Sequence, residues 1–67
     1  MPPKIRDLER KLAAAGFGWQ PGKGSHRHWS HVSGAFVVIS GKGGDDAQRY
    51  QEKDVNKALA IAKKLPY

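Results

Sequence analysis

Residues 17–39, FGWQPGKGSHRHWSHVSGAFVVI, decide the fold, because they hold three short segments of β-strand character. The segments are 17–20, 26–32 and 35–39. The first alternates large residues with small or polar ones, and the second has Trp29 as its largest apolar member. The third is apolar and mostly β-branched, so we expect it to be the most buried strand.

Two turn signals separate these segments and predict that they pair in sequence order. Residues 21–25 begin with a proline and contain two glycines. The dipeptide Ser33-Gly34 is typical of a tight hairpin connection. Connections as short as these join antiparallel neighbours, so the three segments are expected to form one antiparallel sheet.

An amphipathic helix is predicted before the sheet, over residues 3–15. Its apolar residues are spaced by three, four and three positions, which places them on one helical face. They are Ile5, Leu8, Leu12 and Ala15. Pro3 suits the first turn of this helix, and Gly16 is expected to end it at the C′ position.

A second helix is predicted after the sheet, over about residues 51–64. Its apolar face consists of Val55, Ala58, Leu59 and Ala62. Acidic residues near its start and basic residues near its end match the helix dipole. These are Glu52, Asp54, Lys63 and Lys64. Leu65-Pro66 is expected to end the helix, and the polar, glycine-rich stretch 40–49 is predicted to be a loop.

The predicted element order is therefore α-β-β-β-α. This is an α+β fold, in which a three-stranded antiparallel sheet carries two helices on one face. The chain 1–67 is expected to form a single domain, since its length suits one small core. The opposite face of the sheet is left to solvent or to a ligand.

Composition narrows the function classes. The chain has 67 residues, no cysteine and a formal net charge of +6. It offers no disulfide or thiolate metal site, no apolar run of membrane-spanning length and no signal peptide. We therefore expect a cytoplasmic protein without a membrane partner. The basic excess is typical of domains that meet nucleic acid, an acidic membrane surface or an acidic protein.

The stretch 22–26, Gly-Lys-Gly-Ser-His, places one imidazole after a flexible, basic loop. Histidine both takes and gives a proton near neutral pH, so His26 can act as base, acid or both. A glycine loop with Lys23, Gly24 and Ser25 suits a phosphate. These parts meet the minimum needed to cut RNA through its own 2′-hydroxyl, without a metal or other cofactor.

Strand alternation predicts where the neighbouring side chains point. His26 and His28 share one face, and His31 shares the other with Arg27 and Trp29. We expect Trp29 in the core, because aromatic residues in short domains are usually needed for packing. His26 and His28 then face outward and offer one or two imidazoles to an RNA backbone.

Further cations are available for the phosphate of such a substrate. Arg27 follows the histidine directly, and Lys42 lies in the loop after the third strand. Either side chain can add positive charge to that of Lys23.

Other kinds of site fit the sequence less well. A zinc site would need more ligands than one histidine cluster supplies. Ser25 adjoins His26, so their side chains diverge in a strand, and nothing resembles a nucleophile elbow. Asp45 and Asp46 either hold a divalent ion or, more typically, solvate the loop or cap the next helix. Residues 41–44 lack the ending of a nucleotide-binding loop.

The order of these residues resembles the HicA family of toxin mRNA interferases. The resemblance covers nearly the whole chain, and its most specific parts are the Gly-Ser-His element and the segment Tyr-Gln-Glu-Lys-Asp-Val. The matching residues are Asp7-Leu8, Leu12, Gly16-Phe17, Lys23 to His26, Trp29, Gly43 to Ala47, Tyr50 to Val55 and Ala58-Leu59.

This resemblance implies a double-stranded-RNA-binding-domain-like fold, ribosome-independent cleavage of mRNA and neutralisation by a cognate HicB antitoxin. It makes His26 the catalytic residue. Many members carry a histidine after the third strand, where this chain has Lys42. Assistance from that histidine is therefore missing here, or it falls to Lys42 or His28.

Two other function classes remain open at this point. The same fold can bind double-stranded RNA by shape, with salt-dependent affinity and without cleavage. Alternatively, the basic face serves only an acidic protein partner. The exposed or buried state of Trp19 and Tyr50 also remains open, because these residues either stack on bases or fill the core.

Overall fold

A computed structural model describes residues 2–63 of the chain. Its helices and strands follow the predicted order and confirm the α+β architecture. They are α1 (Ile5–Ala14), β1 (Gly18–Pro21), β2 (Arg27–Ser30), β3 (Phe36–Ile39) and α2 (Arg49–Lys63). The predicted end of the second helix, at Lys64 and Leu65-Pro66, lies outside the described residues.

The three strands form one antiparallel sheet in the order β1-β2-β3. Its register determines which residues face the helices. Trp29 pairs with Trp19 on one side and with Val37 on the other, and this row faces the helices. The next row, with His28 at its centre, points to the open side of the sheet.

The core lies between the sheet and the two helices. Its buried hydrophobic members are Ile5, Leu8, Leu12, Phe17, Trp29, Ala35, Val37, Ile39, Ala47, Val55 and Ala58. Leu59 and Ala62 pack against this cluster as predicted for the second helix. Ala15, the predicted fourth member of the first stripe, is exposed because it is the C-cap, where the chain turns away from the core.

The first helix begins two residues later than predicted. Lys4 is extended, forms a bridge with Asp46 and donates its N–H to the Asp7 carboxylate at 3.0 Å. Pro3 therefore precedes the cap and does not occupy the first turn, and its carbonyl accepts a hydrogen bond from Ala47 at 2.8 Å. Pairing with the loop after β3 keeps this segment out of the helix.

The predicted helix stop at Gly16 is confirmed. Gly16 has a φ of +93°, and its N–H donates to Ala13. The N–H of Phe17 donates to the carbonyl of Leu12 at 3.0 Å. This pair of bonds is a Schellman motif, which requires a left-handed residue that glycine supplies at least cost.

β2 and β3 are shorter than predicted, β1 is shifted by one residue so that it includes Pro21 of the predicted turn, and β3 is buried on one side only. Val37 and Ile39 are buried, whereas Phe36 and Val38 are exposed on the open face. The helices cover only one face of the sheet. Every second apolar residue of β3 therefore points to the open face and stays exposed. The residues 26 and 31–32, predicted to be in the second strand, belong to the turns that flank it.

The second helix begins two residues earlier than predicted because a glutamine side chain caps it. Gln51 is buried, and its Oε1 accepts a hydrogen bond from the N–H of Gln48 at 2.8 Å. Its Nε2 donates to the carbonyl of Ser40 at 3.0 Å. This residue therefore joins the start of α2 to the end of β3 and positions Tyr50 beside that strand.

Candidate active site

His26 lies at the end of a tight loop that connects β1 to β2. The N–H of Gly22 donates to the carbonyl of His26 at 2.8 Å, and the N–H of His26 donates to the carbonyl of Lys23 at 3.1 Å. Gly24, within the loop, has a φ of +61°. The glycines predicted to make this stretch flexible thus allow a closed turn that presents the histidine at a fixed point.

The imidazole of His26 is exposed and held by one nitrogen. Its Nδ1 lies 2.8 Å from the carbonyl oxygen of Lys23. A carbonyl oxygen only accepts hydrogen bonds, so Nδ1 carries the proton and Nε2 of the neutral ring has a free lone pair. Among residues 2–63, no group forms a hydrogen bond with Nε2. Nε2 is therefore available to accept a hydrogen bond from a group outside the described residues.

The loop before β2 is joined to the loop after β3. The N–H of Gly41 donates to the Ser25 hydroxyl at 3.2 Å. Both loops leave the same end of the sheet, because Arg27 at the start of β2 pairs with Ile39 at the end of β3. The exposed residues Lys23 and Lys42, one in each loop, thus lie at the same end of the sheet as His26.

The ring of His28 is exposed on the open face of the sheet. It contacts Phe36 edge-on, with ring centroids 5.8 Å apart. It also lies directly over Gly22, where an added Cβ would be 2.6 Å from its Nε2. His28 is therefore close to the loop that carries His26, and Gly22 is needed for this close approach.

The guanidinium of Arg27 has partners within the fold. It donates to the Glu9 carboxylate on α1 and to the carbonyl of Gly41 at 2.9 Å. The side chain is about one-fifth exposed (22%). Arg27 lies on the helix-facing side of β2, as the alternation predicts, and these contacts hold α1, β2 and the loop after β3 together.

Two further groups of candidate residues have structural partners. The Nδ1 of His31 accepts a hydrogen bond from the N–H of Ser33 at 3.0 Å, and its ring packs on Phe17. Asp45 accepts from the N–H of Lys42, and Asp46 binds the Lys4 ammonium. The two acids thus tie their loop to itself and to the start of α1, and the next helix is capped by Gln51 instead.

No three His, Cys, Asp or Glu side chains in the described part of the chain come together as metal ligands. The hydroxyl of Ser25 is bound by Gly41, and the structure records no hydrogen bond from it to the adjacent imidazole. Within residues 2–63, His26 is therefore an exposed histidine with Nδ1 fixed, and Lys23 and Lys42 lie at the same end of the sheet.

A cleft of about 530 Å³ extends from His26 between β3 and α2. Strand β3 contributes Phe36, Val37 and Val38, and Ser40 follows it. Helix α2 contributes Tyr50, Asp54, Lys57, Ala58 and Ile61. This volume is within the range of about 300–1,000 Å³ that is usual for sites that bind small groups.

Sequence reasoning missed most of the residues that share this cleft with His26. Phe36, Asp54 and Lys57 were not candidates, because the sequence does not show that α2 crosses beside β3. Tyr50, left open above, is 57% exposed and lines the cleft, whereas Trp29 is 5% exposed and confirms its predicted place in the core. The available signal was the spacing of Tyr50, Asp54 and Lys57, which places all three on one helical face.

Comparison with known proteins assigns the chain to a family. The family model described as "HicA toxin of bacterial toxin-antitoxin" matches residues 5–63, which span every helix and strand of the structure. A comparison with curated proteins finds no match. Within residues 2–63, no helix combines the length and the apolar character needed to cross a bilayer.

Proposed function

The chain belongs to the HicA family, the toxins of bacterial toxin–antitoxin systems, and we propose that it acts as an endoribonuclease on mRNA. In this proposal His26 is the general acid and base, and no metal takes part. Lys23, Lys42 and the backbone of Gly24 and Ser25 bind the phosphate. Arg27 is left out of the RNA contacts, because its guanidinium is bound by Glu9 and Gly41.

One observation carries the proposal. The Nδ1 of His26 donates to the carbonyl of Lys23, and the free Nε2 belongs to an exposed ring at the end of a cleft. A histidine whose one nitrogen is fixed by a carbonyl has a defined tautomer, which is the usual arrangement for a positioned general base.

The reaction follows from this arrangement. Nε2 takes the proton of a ribose 2′-hydroxyl while the 2′-oxygen attacks the adjacent phosphorus. The bond from phosphorus to the 5′-oxygen of the next nucleotide breaks, and the imidazolium returns the proton to that oxygen. The products are a 2′,3′-cyclic phosphate and a free 5′-hydroxyl. Lysine ammonium groups stabilise the negative charge that develops on the phosphoryl oxygens.

Cleavage of a labelled RNA in EDTA tests the assignment. His26→Gln replaces the imidazole with a polar amide that is not a base near neutral pH, so we expect the cleavage rate to fall about 100-fold or more. His28→Gln makes the same change two residues further along and is expected to retain most of the activity. Equal losses in the two variants would contradict a mechanism with one histidine.

The products give an independent test of the same chemistry. A substrate with 2′-deoxyribose at the cleaved position has no nucleophile and should remain intact, and the normal substrate should yield a cyclic phosphate end. Intact RNA with the wild-type protein, together with salt-dependent binding, would instead support a module that binds RNA without cleaving it.

Family membership implies an antitoxin partner. We propose a HicB-type protein that covers His26 and so keeps RNA away from Nε2. The co-purified pair should elute as one complex in gel filtration and should not cleave RNA. Cleavage by the complex at the rate of the free toxin would contradict this role.

A further inference from the structure

The cleft beside His26 gathers most of the exposed apolar side chains of the domain. Six large hydrophobic residues are exposed among residues 2–63, and four of them line this cleft. The four are Phe36, Val38, Tyr50 and Ile61. Scattered single residues of this kind are ordinary, but a cluster on a small basic domain indicates a binding surface.

The charged side chains of the cleft, Lys57 and Asp54, suit a ligand that carries both an anionic group and N–H donors. Lys57, which lines the cleft, forms no ion pair within residues 2–63. Among residues 2–63, Asp54 is the only acid that lines the cleft, and it can accept hydrogen bonds from the N–H groups of a base edge. Aromatic rings beside unpaired cations are typical of surfaces that bind single-stranded nucleic acid.

The position of His26 restricts which part of an RNA can enter. A nucleotide whose 2′-hydroxyl reaches Nε2 carries its base on the same ribose. Because His26 lies in the lining of the cleft, that base has the apolar lining formed by Phe36 and Tyr50 within reach. A base paired in a duplex cannot enter such a cleft, whereas an unstacked base of a single strand can.

We propose that this cleft is a nucleobase subsite, in which Tyr50 and Phe36 stack on an unpaired base next to the cleaved bond. The inference rests on the proposed function and deepens it, since it makes single-stranded RNA the substrate. Tyr50 then contributes to substrate affinity and takes no part in proton transfer.

Binding to a non-cleavable RNA tests the subsite without depending on catalysis. The probe is a fluorescein-labelled single-stranded oligonucleotide with 2′-fluoro ribose at every position, followed by anisotropy. Tyr50→Ala should raise Kd about tenfold, and Tyr50→Phe, which keeps the ring, should stay within about twofold of wild type. Trp19→Ala is the matched control, because Trp19 is similarly exposed (52%) but lies outside the cleft. Thermal melts confirm that each variant is folded.

A second measurement identifies the contact. Abasic sites are introduced one at a time along the probe. At the position that occupies the cleft, the loss of affinity should be large for wild type and nearly absent for Tyr50→Ala. The inference would be overturned if Tyr50→Ala bound the probe as tightly as wild type. It would also be overturned if, at every position, an abasic site weakened binding equally in wild type and in Tyr50→Ala. A variant that binds RNA normally but no longer binds the antitoxin would overturn it too, because the cleft would then serve a protein.

These outcomes separate the two proposals. If Tyr50 governs RNA binding but His26→Gln still cleaves, the catalytic assignment fails and the subsite stands. If His26→Gln is inactive and Tyr50→Ala binds like wild type, the catalytic assignment stands and the subsite fails.

Discussion

The guanidinium of Arg27 on β2 donates a hydrogen bond to the carboxylate of Glu9 on α1, and neither side chain is more than a quarter exposed. The same carboxylate oxygen accepts from the indole N–H of Trp29 at 3.1 Å. One acid on the helix therefore satisfies two polar groups of the central strand. This contact explains why Arg27, a cation next to His26 in sequence, belongs to the framework of the domain.

Loss of Glu9 is expected to destabilise the fold. Glu9→Ala leaves Arg27 charged and only partly solvated and removes the partner of Trp29, so the free energy of unfolding should fall by about 2 kcal/mol. Urea denaturation measures this loss. Arg10→Ala is the control, because Arg10 is 75% exposed and lies 3.8 Å from Asp7, and it should change stability by less than about 0.5 kcal/mol. A similar loss of stability in both variants would show that the Arg27–Glu9 pair contributes no more than an exposed ion pair.

Gly24 is expected to tolerate substitution poorly although nothing surrounds it. No heavy atom lies within 4 Å of the position of an added Cβ, so any loss arises from its φ of +61° alone. Gly24→Ala should cost about 1 kcal/mol, and Gly24→Asn should cost less, because asparagine adopts left-handed backbone more readily. Thermal melts measure these changes. Gly18→Ala, at a position that is equally open but has no positive φ, should be nearly neutral.

Substitution of Gly22 is expected to be harmful for a different reason. A Cβ at this position would lie 2.6 Å from Nε2 of His28, so Gly22→Ala must displace that ring or the loop. We expect RNA cleavage to fall together with stability, because the carbonyl of His26 is bonded to the N–H of Gly22. The double variant Gly22→Ala/His28→Ala removes the obstruction and should recover activity. A double variant that stays as weak as Gly22→Ala would place the cause elsewhere.

Salt should weaken RNA binding in proportion to the number of lysine–phosphate contacts. For single-stranded RNA, each contact adds about 0.7 to the slope of log affinity against log salt concentration. Lys23→Ala and Lys42→Ala should each reduce the slope of the wild-type protein by about this amount. Lys11→Ala removes an exposed charge on α1, away from both loops, and should leave the slope unchanged. Titrations of the non-cleavable oligonucleotide at several salt concentrations measure these slopes.

Gln51 is expected to contribute more stability than its polar side chain suggests. Gln51→Leu introduces an apolar side chain of similar size. It leaves the N–H of Gln48 and the carbonyl of Ser40 without their hydrogen-bond partner. The loss should be about 2 kcal/mol in chemical denaturation. Gln20→Leu, on the exposed surface of β1, is the matched change and should be nearly neutral. Because Gln51 also positions α2 beside β3, its loss should loosen the cleft and weaken RNA binding.

Local patterns in the sequence were sufficient for the fold. The spacing of Ile5, Leu8 and Leu12 and the stop at Gly16 predicted α1, because both depend only on residues within a few helical turns. The turn signals predicted which strands pair. The helix boundaries were less accurate. The start of α1 is decided by a distant partner, because Lys4 pairs with Asp46. The start of α2 depends on a local cap that the sequence analysis overlooked, in which Gln51 binds the N–H of Gln48.

For the candidate site, the sequence by itself was enough to propose His26 and the loop that carries it, because the chemistry of an imidazole after a glycine–lysine turn is local. Only the tertiary structure decided what surrounds that histidine. It bound Arg27 to Glu9, joined Ser25 to Gly41 and placed Tyr50 of α2 in one cleft with Phe36 of β3. These residues are far apart along the chain, and their proximity depends on how helices pack on a sheet, which no short segment encodes.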